Sequence, residues 1–304
     1  MTHHPGDEIF HLGENPYWRE SAWFHFSVPE RSLIGFVYIF YDPRTGVPGG
    51  GPAVWDSSGQ ETYDCLYYDW RWLQPTLKGA DFSDVTLPNS TRQQVLEPMK
   101  RYRLTYSAPG LDLDLDWTAL MEPHFIRNQA GSAIDGARHF DQAGRCTGSL
   151  VLAGERIDID CFSLRDRTWG PHLPGAARAG DYLWAIDSPT EHWHAITIEG
   201  DEAGEQTVRN GYLARDGIIA DLVSGERRVL ARRADAPLRV TLDAIDEMGR
   251  ELHAVGEVHT TLRWFGWPGR LAYWTLTRWE WEGSTGWGEN QEFFPLHRVR
   301  ELRS

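Results

Sequence analysis

Short strand-like runs, rather than long amphipathic helices, dominate the pattern of hydrophobic and polar positions along this chain. Residues 111–120 (LDLDLDWTAL) alternate leucine with aspartate, which is typical of a strand with one buried face. Residues 32–41 (SLIGFVYIFY) form a longer run of apolar and aromatic residues, and residues 102–107 form a shorter one. The best helix candidate, residues 90–100, is limited by Pro98. We therefore expect strands throughout the first half.

The second half repeats this pattern around a predicted hairpin. Residues 148–152 and 155–162 flank Ala153 and Gly154, a dipeptide suited to a two-residue turn. Further strand candidates follow at residues 182–187, 192–198, 211–214, 228–232, 238–245, 253–264 and 271–282. Turn-forming residues separate the runs about every 8–12 positions, and strands do not alternate with helices, so we predict an all-β sandwich or barrel.

The length of the chain, 304 residues, allows two domains. Residues 128–138 (NQAGSAIDGAR) are small, polar and glycine-containing, which suits a linker or a long loop. We therefore predict an N-terminal β domain at residues 1–136 and a C-terminal β domain at residues 137–304.

Composition and charge narrow the function classes. The formal net charge is −14 and lysine is nearly absent, which excludes a nucleic-acid partner and argues against binding to anionic membranes. The three cysteines lack a CxxC spacing and are interpreted as reduced thiols. No signal peptide is recognisable and no apolar run approaches the ~18 residues of a membrane span, so the predicted location is cytoplasmic. The 15 tryptophans predict either an aromatic β core or an aromatic-lined ligand cavity.

Residues 165–172 (RDRTWGPH) bring an acid, two bases, a hydroxyl, an indole and an imidazole together. A neighbouring arginine lowers the pKa of an aspartate, so Asp166 is expected to stay ionised and to orient a proton or a water molecule. Gly170 and Pro171 predict a turn directly after Trp169. The alternative interpretation is a structural ion pair with a tryptophan plug that closes one end of a barrel.

Two histidines, His192 and His194, lie on the same face of a predicted strand. Together with Glu199 they have the HxHxxxxE spacing that cupins use to hold a metal ion. The glycine and proline signature of a cupin is missing around them, so no metal is assigned. A general acid or base role for one histidine is the preferred interpretation.

Two further pairs of residues are candidates for binding or proton transfer. Glu289 and Glu292 lie in a glycine-rich, aromatic stretch beside Trp287. Burial beside an indole raises the pKa of a carboxyl group and makes it a proton donor, whereas a loop acid would stay solvated. Strand alternation also places Tyr67 and Asp69 on one polar face, which either lines a cavity or faces water.

Residues 139–172 (HFDQAGRCTGSLVLAGERIDIDCFSLRDRTWGPH) resemble the carotenoid 1,2-hydratase superfamily, whose relatives include kievitone hydratase and certain fungal Diels–Alderases. The shared features are a strand, a small turn, a second strand and an Arg-Asp-His-Ser-Trp-Gly-x-Arg segment. This chain has Arg167 in place of that His, Thr168 in place of Ser and His172 in place of the final Arg. Residues 286–294 (GWGENQEFF) resemble the closing strand of that family.

This resemblance implies two lipocalin-like antiparallel β-barrel or cupped-sheet domains, the second of which would carry the RDRTWGPH motif. It also implies a lipophilic polyene, prenyl or polyketide substrate and no organic cofactor. We therefore predict an acid–base enzyme, a hydratase, dehydratase, isomerase or cyclase, that acts on a hydrophobic unsaturated molecule. The predicted catalytic residues are Asp166, Arg167, His192, His194 and Glu289. The predicted substrate-binding residues are Tyr67, Asp69, Trp169, His172, Trp287 and Glu292.

Two alternatives from other function classes stay open at this point. A lipocalin-like carrier would bind the same kind of lipophilic ligand without converting it. A cupin-like metal enzyme would use His192, His194 and Glu199. Exposed strand edges would also allow a homodimer.

Overall fold

The computed structural model describes residues 8–77, 79, 81–127, 134–173, 178–200, 206–267 and 269–300. The strands are β1 (Trp18–Val28), β2 (Leu33–Asp42), β3 (Val47–Trp55), β4 (Tyr67–Tyr68), β5 (Asp84–Thr86), β6 (Arg92–Glu97), β7 (Arg101–Ala108), β8 (Leu111–Ala119), β9 (His124–Phe125), β10 (Arg138–Leu152), β11 (Glu155–Pro171), β12 (Gly180–Ser188), β13 (Glu191–Glu199), β14 (Gln206–Arg215), β15 (Ile218–Arg233), β16 (Ala236–Asp246), β17 (Glu251–Trp264), β18 (Arg270–Trp281) and β19 (Ser284–Pro295). Short 3₁₀ turns occur at Pro29–Arg31 and Thr62–Asp64, and α1 spans Leu296–Val299. The all-β prediction is confirmed.

Two compact units divide the chain. Among the described residues, the first unit contains those up to Trp55 together with Cys65–Phe125 and Ile134–His172. It forms one antiparallel sheet in the order β4-β3-β2-β1-β11-β10-β8-β7-β6-β5, and β9 pairs with β10. The predicted alternation in β8 is confirmed, because its leucines and Trp117 are buried while its aspartates are exposed.

The second unit contains a closed antiparallel barrel of eight strands, β12 to β19 in chain order. Its apolar core lies inside the barrel and is rich in aromatic side chains, with Trp193 4.9 Å from Trp279 between ring centroids. In both units, strand side chains alternate between this core face and the opposite, outer face. No helix in the described part of the chain is long and apolar enough to cross a membrane.

The β10–β11 hairpin corrects the predicted domain boundary. Ala153 and Gly154 both have positive φ, at 51° and 89°, and form the predicted tight turn. The two strands pair along their whole length, and β11 also pairs with β1. The RDRTWGPH motif therefore lies in the first unit, and the boundary falls near residue 172 rather than at residue 136.

Two local predictions were also wrong. The helix candidate at residues 90–100 contains strand β6 (Arg92–Glu97) instead of a helix, because pairing with β7 outweighs the local helix propensity. The expected turn after Trp169 is absent, since Gly170 and Pro171 continue β11. Gly170 has φ 131° and a Cβ there would lie 2.6 Å from the Cα of Ala137, so glycine serves a close strand approach. Most of the predicted linker at residues 128–138 lies outside the described residues.

Candidate acid–base site

A row of side chains crosses the outer face of the first unit. Directly opposed residues of antiparallel strands share one face of a sheet. Asp166 in β11 lies opposite Asp141 in β10 on one side and opposite Trp23 in β1 on the other. Trp23 in turn lies opposite Tyr38 in β2. The strands therefore place two carboxyl groups next to an indole and a phenol.

Asp166 is half-buried, and its Oδ1 atom is covered and has no hydrogen-bond partner among the described residues. Burial is the largest influence and raises the pKa of Asp166 to about 7. His139 opposes this rise, whereas Asp141 adds to it. A carboxyl group with a pKa near 7 can both give and accept a proton at neutral pH.

His139 connects the hydroxyl of Thr168 with the carboxylate of Asp141. Its Nδ1 lies 2.6 Å from Thr168 Oγ1, and its Nε2 lies 3.0 Å from Asp141 Oδ1. Burial lowers the pKa of His139, but Asp141 and Asp166 together outweigh burial, so that the pKa is raised. The geometry thus places an imidazole between a hydroxyl group and the carboxylate of Asp141, within the electrostatic influence of Asp166.

Arg167 does not hold Asp166, contrary to the prediction. Successive strand residues point to opposite faces, so Arg167 lies on the core face and forms a buried ion pair with Glu20. Its guanidinium group also lies 3.9 Å from the ring centroid of Phe82. Burial raises the pKa of Asp166 by more than Arg165 and Arg167 lower it, so the predicted net lowering is wrong.

The other substrate-binding candidates of the first unit do not join this row. Trp169 packs in a core-face cluster with Met99 and Phe140. His172 lies beyond the end of β11, where burial lowers its pKa to about 4 and its Nδ1 lies 3.1 Å from the carbonyl oxygen of Gly170. Within the motif, Arg167 therefore belongs to a buried ion pair and Trp169 to a core-face cluster, while Asp166 stays a site candidate.

Tyr106 links Tyr67 to Asp69 through two hydrogen bonds. The Tyr67 hydroxyl lies 2.5 Å from that of Tyr106, which donates a 2.6 Å hydrogen bond to Asp69. Asp69 also forms an ion pair with Arg71. Because Tyr67 packs against the core cluster of the first unit, this chain of hydrogen bonds is separate from the outer face that carries Asp166.

A corresponding row crosses the outer face of the barrel in the second unit. Glu289 in β19 lies opposite Trp184 in β12, which lies opposite His194 in β13. His194 lies opposite Tyr212 in β14, and its ring is 4.5 Å from that of Tyr182. Four neighbouring strands thus place a carboxyl group and an imidazole among aromatic rings.

Glu289 is fully buried, and its hydrogen bonds from Trp184 and Gln291 involve one oxygen. Trp184 Nε1 donates to Oε2 at 3.3 Å and Gln291 Nε2 donates to the same atom at 3.0 Å. Oε1 has no partner in the described part of the chain. Burial raises the pKa of Glu289 to about 8, so the group is a neutral acid at pH 7. Because Oε2 accepts two N–H groups, the proton resides on Oε1.

His192 lies on the same outer face but is poorly suited to proton transfer. Burial lowers its pKa to about 4, and its Nδ1 lies 3.3 Å from the hydroxyl of Tyr212. Trp287 is half-buried on this face, with its ring 4.9 Å from that of His259. Of the candidates in the second unit, Glu289 and His194 therefore lie in the row that crosses β19, β12, β13 and β14.

The cupin-like alternative is contradicted by the strand geometry. An odd spacing along the strand turns Glu199 away from the two histidines, and it forms an ion pair with Arg298 instead. Among the residues that the structure describes, no three His, Cys, Asp or Glu side chains form a group that could hold a metal ion.

Glu292 belongs to a different environment from Glu289. It lies inside the barrel between Arg227 and Arg232, and Arg232 Nη1 is 2.8 Å from its Oε2. Burial alone would raise its pKa, but the two guanidinium groups outweigh burial and lower it. This arrangement is a buried ion cluster and offers no uncharged proton donor.

Sequence reasoning missed His139, Asp141, Trp184 and Gln291. A His and an Asp two residues apart on one strand share a face, so the HFD segment carried a usable signal for His139 and Asp141. Gln291 carried the same signal, since it lies two residues from Glu289 on β19. Trp184 could not be found in that way, because its contact with Glu289 depends on pairing between β12 and β19.

The comparisons with known proteins agree with this architecture. A Nitrosomonas europaea protein assigned as AttH shares 15% sequence identity with a TM-score of 0.68, and the match covers 93% of this chain and 94% of that one. Kievitone hydratase from Nectria haematococca shares 12% identity (TM-score 0.59), and CghA shares 15% (TM-score 0.58). Each of these two matches covers 91% of this chain and 88% of the other.

These similarities confirm the predicted resemblance to the hydratase and Diels–Alderase superfamily at the level of the fold. No curated protein sequence matches this chain. A family of sequences without an assigned function matches residues 4–292, nearly the whole chain. The chain therefore belongs to the family described as domain of unknown function DUF7064.

Proposed function

We propose that this protein is a cofactor-independent acid–base enzyme that acts on a hydrophobic, unsaturated small molecule. The reaction would be hydration or its reverse, isomerisation or cyclisation. In each of these reactions a proton is added to or removed from carbon, and a positive charge develops on a neighbouring carbon. The enzyme must therefore supply a proton donor, a proton acceptor and a surface that stabilises a cation without reacting with it.

The observation that carries this proposal is the environment of Asp166. Its carboxyl group is half-buried, has one oxygen without a hydrogen-bond partner in the described residues, and has a pKa raised to about 7. The remaining accessible surface allows a small molecule to reach it. The nearby His139 favours the ionised form of Asp166 and would stabilise the negative charge that appears when Asp166 gives up its proton.

Glu289, in the second unit, is a separate candidate acid. Both N–H groups that bond its carboxyl group do so at Oε2, which favours protonation of Oε1, and transfer of that proton to carbon would break neither hydrogen bond. In a hydration at either acid, the carboxyl group would protonate an alkene carbon while water adds to the other carbon. The carboxylate that remains would then accept the proton that the water releases, and the protons balance without a cofactor.

The aromatic neighbours of the two acids support a hydrophobic substrate. Trp23 lies opposite Asp166 and Tyr38 lies opposite Trp23, while Trp184 lies opposite Glu289. The faces of such rings attract cationic charge and exclude water. The name of one structural relative, kievitone hydratase, supports water addition or loss as the first reaction to test.

The proposal can be tested without knowing the natural substrate. The purified protein would be incubated in D₂O at pH 7 with a panel of terpenoid, polyketide and aromatic alkenes and their alcohols. Mass spectrometry would detect deuterium at carbon. Replacing Asp166 by Asn removes the titrating group and should slow incorporation by roughly 10²–10⁴-fold, the usual contribution of general acid–base catalysis.

The matched control is Asp160→Asn, which changes an exposed aspartate on the same face of β11. We expect this variant to keep the wild-type rate. Circular dichroism would establish that all variants are folded. Unchanged incorporation in both Asp166→Asn and Glu289→Gln would contradict the proposal, and ligand binding without any incorporation would identify a carrier.

A further inference from the structure

Cys146 and Cys161 lie directly opposite each other across the β10–β11 hairpin. Opposed residues of antiparallel strands have Cα atoms about 4.5–5.5 Å apart, which lies within the roughly 4.4–6.8 Å range of disulfide-linked cysteines. Both side chains belong to the core face of the sheet. Both are free thiols in the structure.

The surroundings of the two thiols differ. Cys146 is fully buried, whereas Cys161 is half-buried and keeps accessible surface. The backbone N–H of Ser27 donates to Cys161 Sγ at 3.3 Å. The neighbouring Cys146 thiol and this N–H lower the pKa of Cys161 against the opposing effect of burial. Because Cys161 also keeps accessible surface while Cys146 has none, Cys161 is the sulfur that peroxide reaches first.

We propose that Cys146 and Cys161 form a peroxide-sensitive site at which a reversible cross-strand disulfide is made. Cys161 is the attacking sulfur and Cys146 the resolving one. The site is independent of the acid–base function, since it involves neither Asp166 nor Glu289.

The chemistry balances in two steps. The Cys161 thiolate attacks one oxygen of hydrogen peroxide, breaks the O–O bond and becomes a sulfenic acid, while the other oxygen leaves as water after taking up a proton. The Cys146 thiol then displaces the sulfenic oxygen as a second water and forms the S–S bond. Two thiols are oxidised by two electrons and one peroxide is reduced to two waters.

The test uses the full-length protein and hydrogen peroxide. Free thiols would be alkylated after treatment, and the protein would be digested and analysed by mass spectrometry. We expect a Cys146–Cys161 cross-linked peptide that has lost two hydrogens and that dithiothreitol reverses. Cys65 serves as the internal control within the same chain and should stay alkylatable.

Two variants separate the roles of the sulfurs. Cys161→Ser should leave Cys146 unoxidised, because the buried thiol is not reached by peroxide. Cys146→Ser should stop the reaction at the sulfenic acid of Cys161, which dimedone would trap. Sulfinic acid on Cys161 with an intact Cys146 thiol in the wild-type protein would overturn the proposal, as would a disulfide that involves Cys65. The wild-type experiment decides the question even if a variant fails to fold.

Discussion

Glu289 and Glu292 lie on the same strand, three residues apart, and point to opposite faces of the same barrel. Glu292 faces the interior, where Arg227 and Arg232 keep it ionised. Glu289 faces outward, where it accepts hydrogen bonds from the Trp184 indole and the Gln291 amide, and its pKa rises to about 8. Both side chains are fully buried, so burial alone does not distinguish them.

The first unit repeats this contrast. On the core face, Glu20 forms a buried ion pair with Arg167. On the outer face, Asp166 lies beside Trp23 and has a pKa of about 7. Glu292 and Glu20 thus each have a guanidinium partner, whereas Glu289 and Asp166 titrate near neutral pH. Where a cation compensates burial the carboxylate has a structural role, and where none does the carboxyl group is available for proton transfer.

Among the substitutions that test this contrast, we expect the largest change in the free energy of unfolding at Glu292. Replacing it by Gln would leave Asp181, 3.4 Å from Arg227, as the remaining carboxyl partner of this guanidinium group, and loss of one member of a buried ion pair typically costs about 3–5 kcal/mol. We expect the free energy of unfolding of the barrel to fall by that amount. Urea unfolding followed by tryptophan fluorescence would measure it.

The matched control for this variant is Glu280→Gln. Glu280 forms an exposed ion pair with Arg278, and exposed pairs contribute little to stability. If both variants unfold at the same urea concentration, the interior cluster does not stabilise the barrel.

The pH dependence of stability sharpens the contrast at Glu289. The unfolded chain releases this proton near the ordinary value of 4.5, whereas the folded protein keeps it to about pH 8. The folded state therefore binds more protons in this window, and the free energy of unfolding falls by about 1 kcal/mol per pH unit as pH rises. Glu289→Gln should remove this loss, so its advantage over the wild type should grow from pH 5 to pH 8 and then level off. Parallel wild-type and variant curves would disprove the raised pKa.

For Asp166→Asn we also expect a gain in stability over the wild type that grows as pH rises, but a smaller one. The folded pKa of about 7 exceeds the ordinary value of 3.8, so stability should fall as pH rises between these values. Asp166 is half-buried, and its contribution is therefore expected to be smaller than that of Glu289. Urea unfolding at pH 4, 5.5 and 7 would measure the difference between variant and wild type, and a gain that exceeds the Glu289→Gln gain would reverse the expected order.

Much of the fold and part of the site could be predicted from local patterns. Period-two alternation identified β8, and the Ala153–Gly154 turn identified the β10–β11 hairpin. The candidate list included Glu289, because an acid in an aromatic stretch is expected to be desolvated. It also included Asp166, although the sequence predicted an ionised carboxylate beside arginine rather than a desolvated one. The same reasoning could not separate Glu289 from Glu292, since it considered their neighbours in sequence rather than the face to which each side chain points.

The sequence by itself determined the all-β class, the positions of most strands and which side chains share a face of one strand, because these follow from an alternation within a few residues. Only the tertiary structure decided that the RDRTWGPH strand completes the first unit and that Arg167 pairs with Glu20 rather than with Asp166. The tertiary structure also set the pKa of each acid. Strand order and register bring together residues that are distant in sequence, and burial and charge act through these contacts.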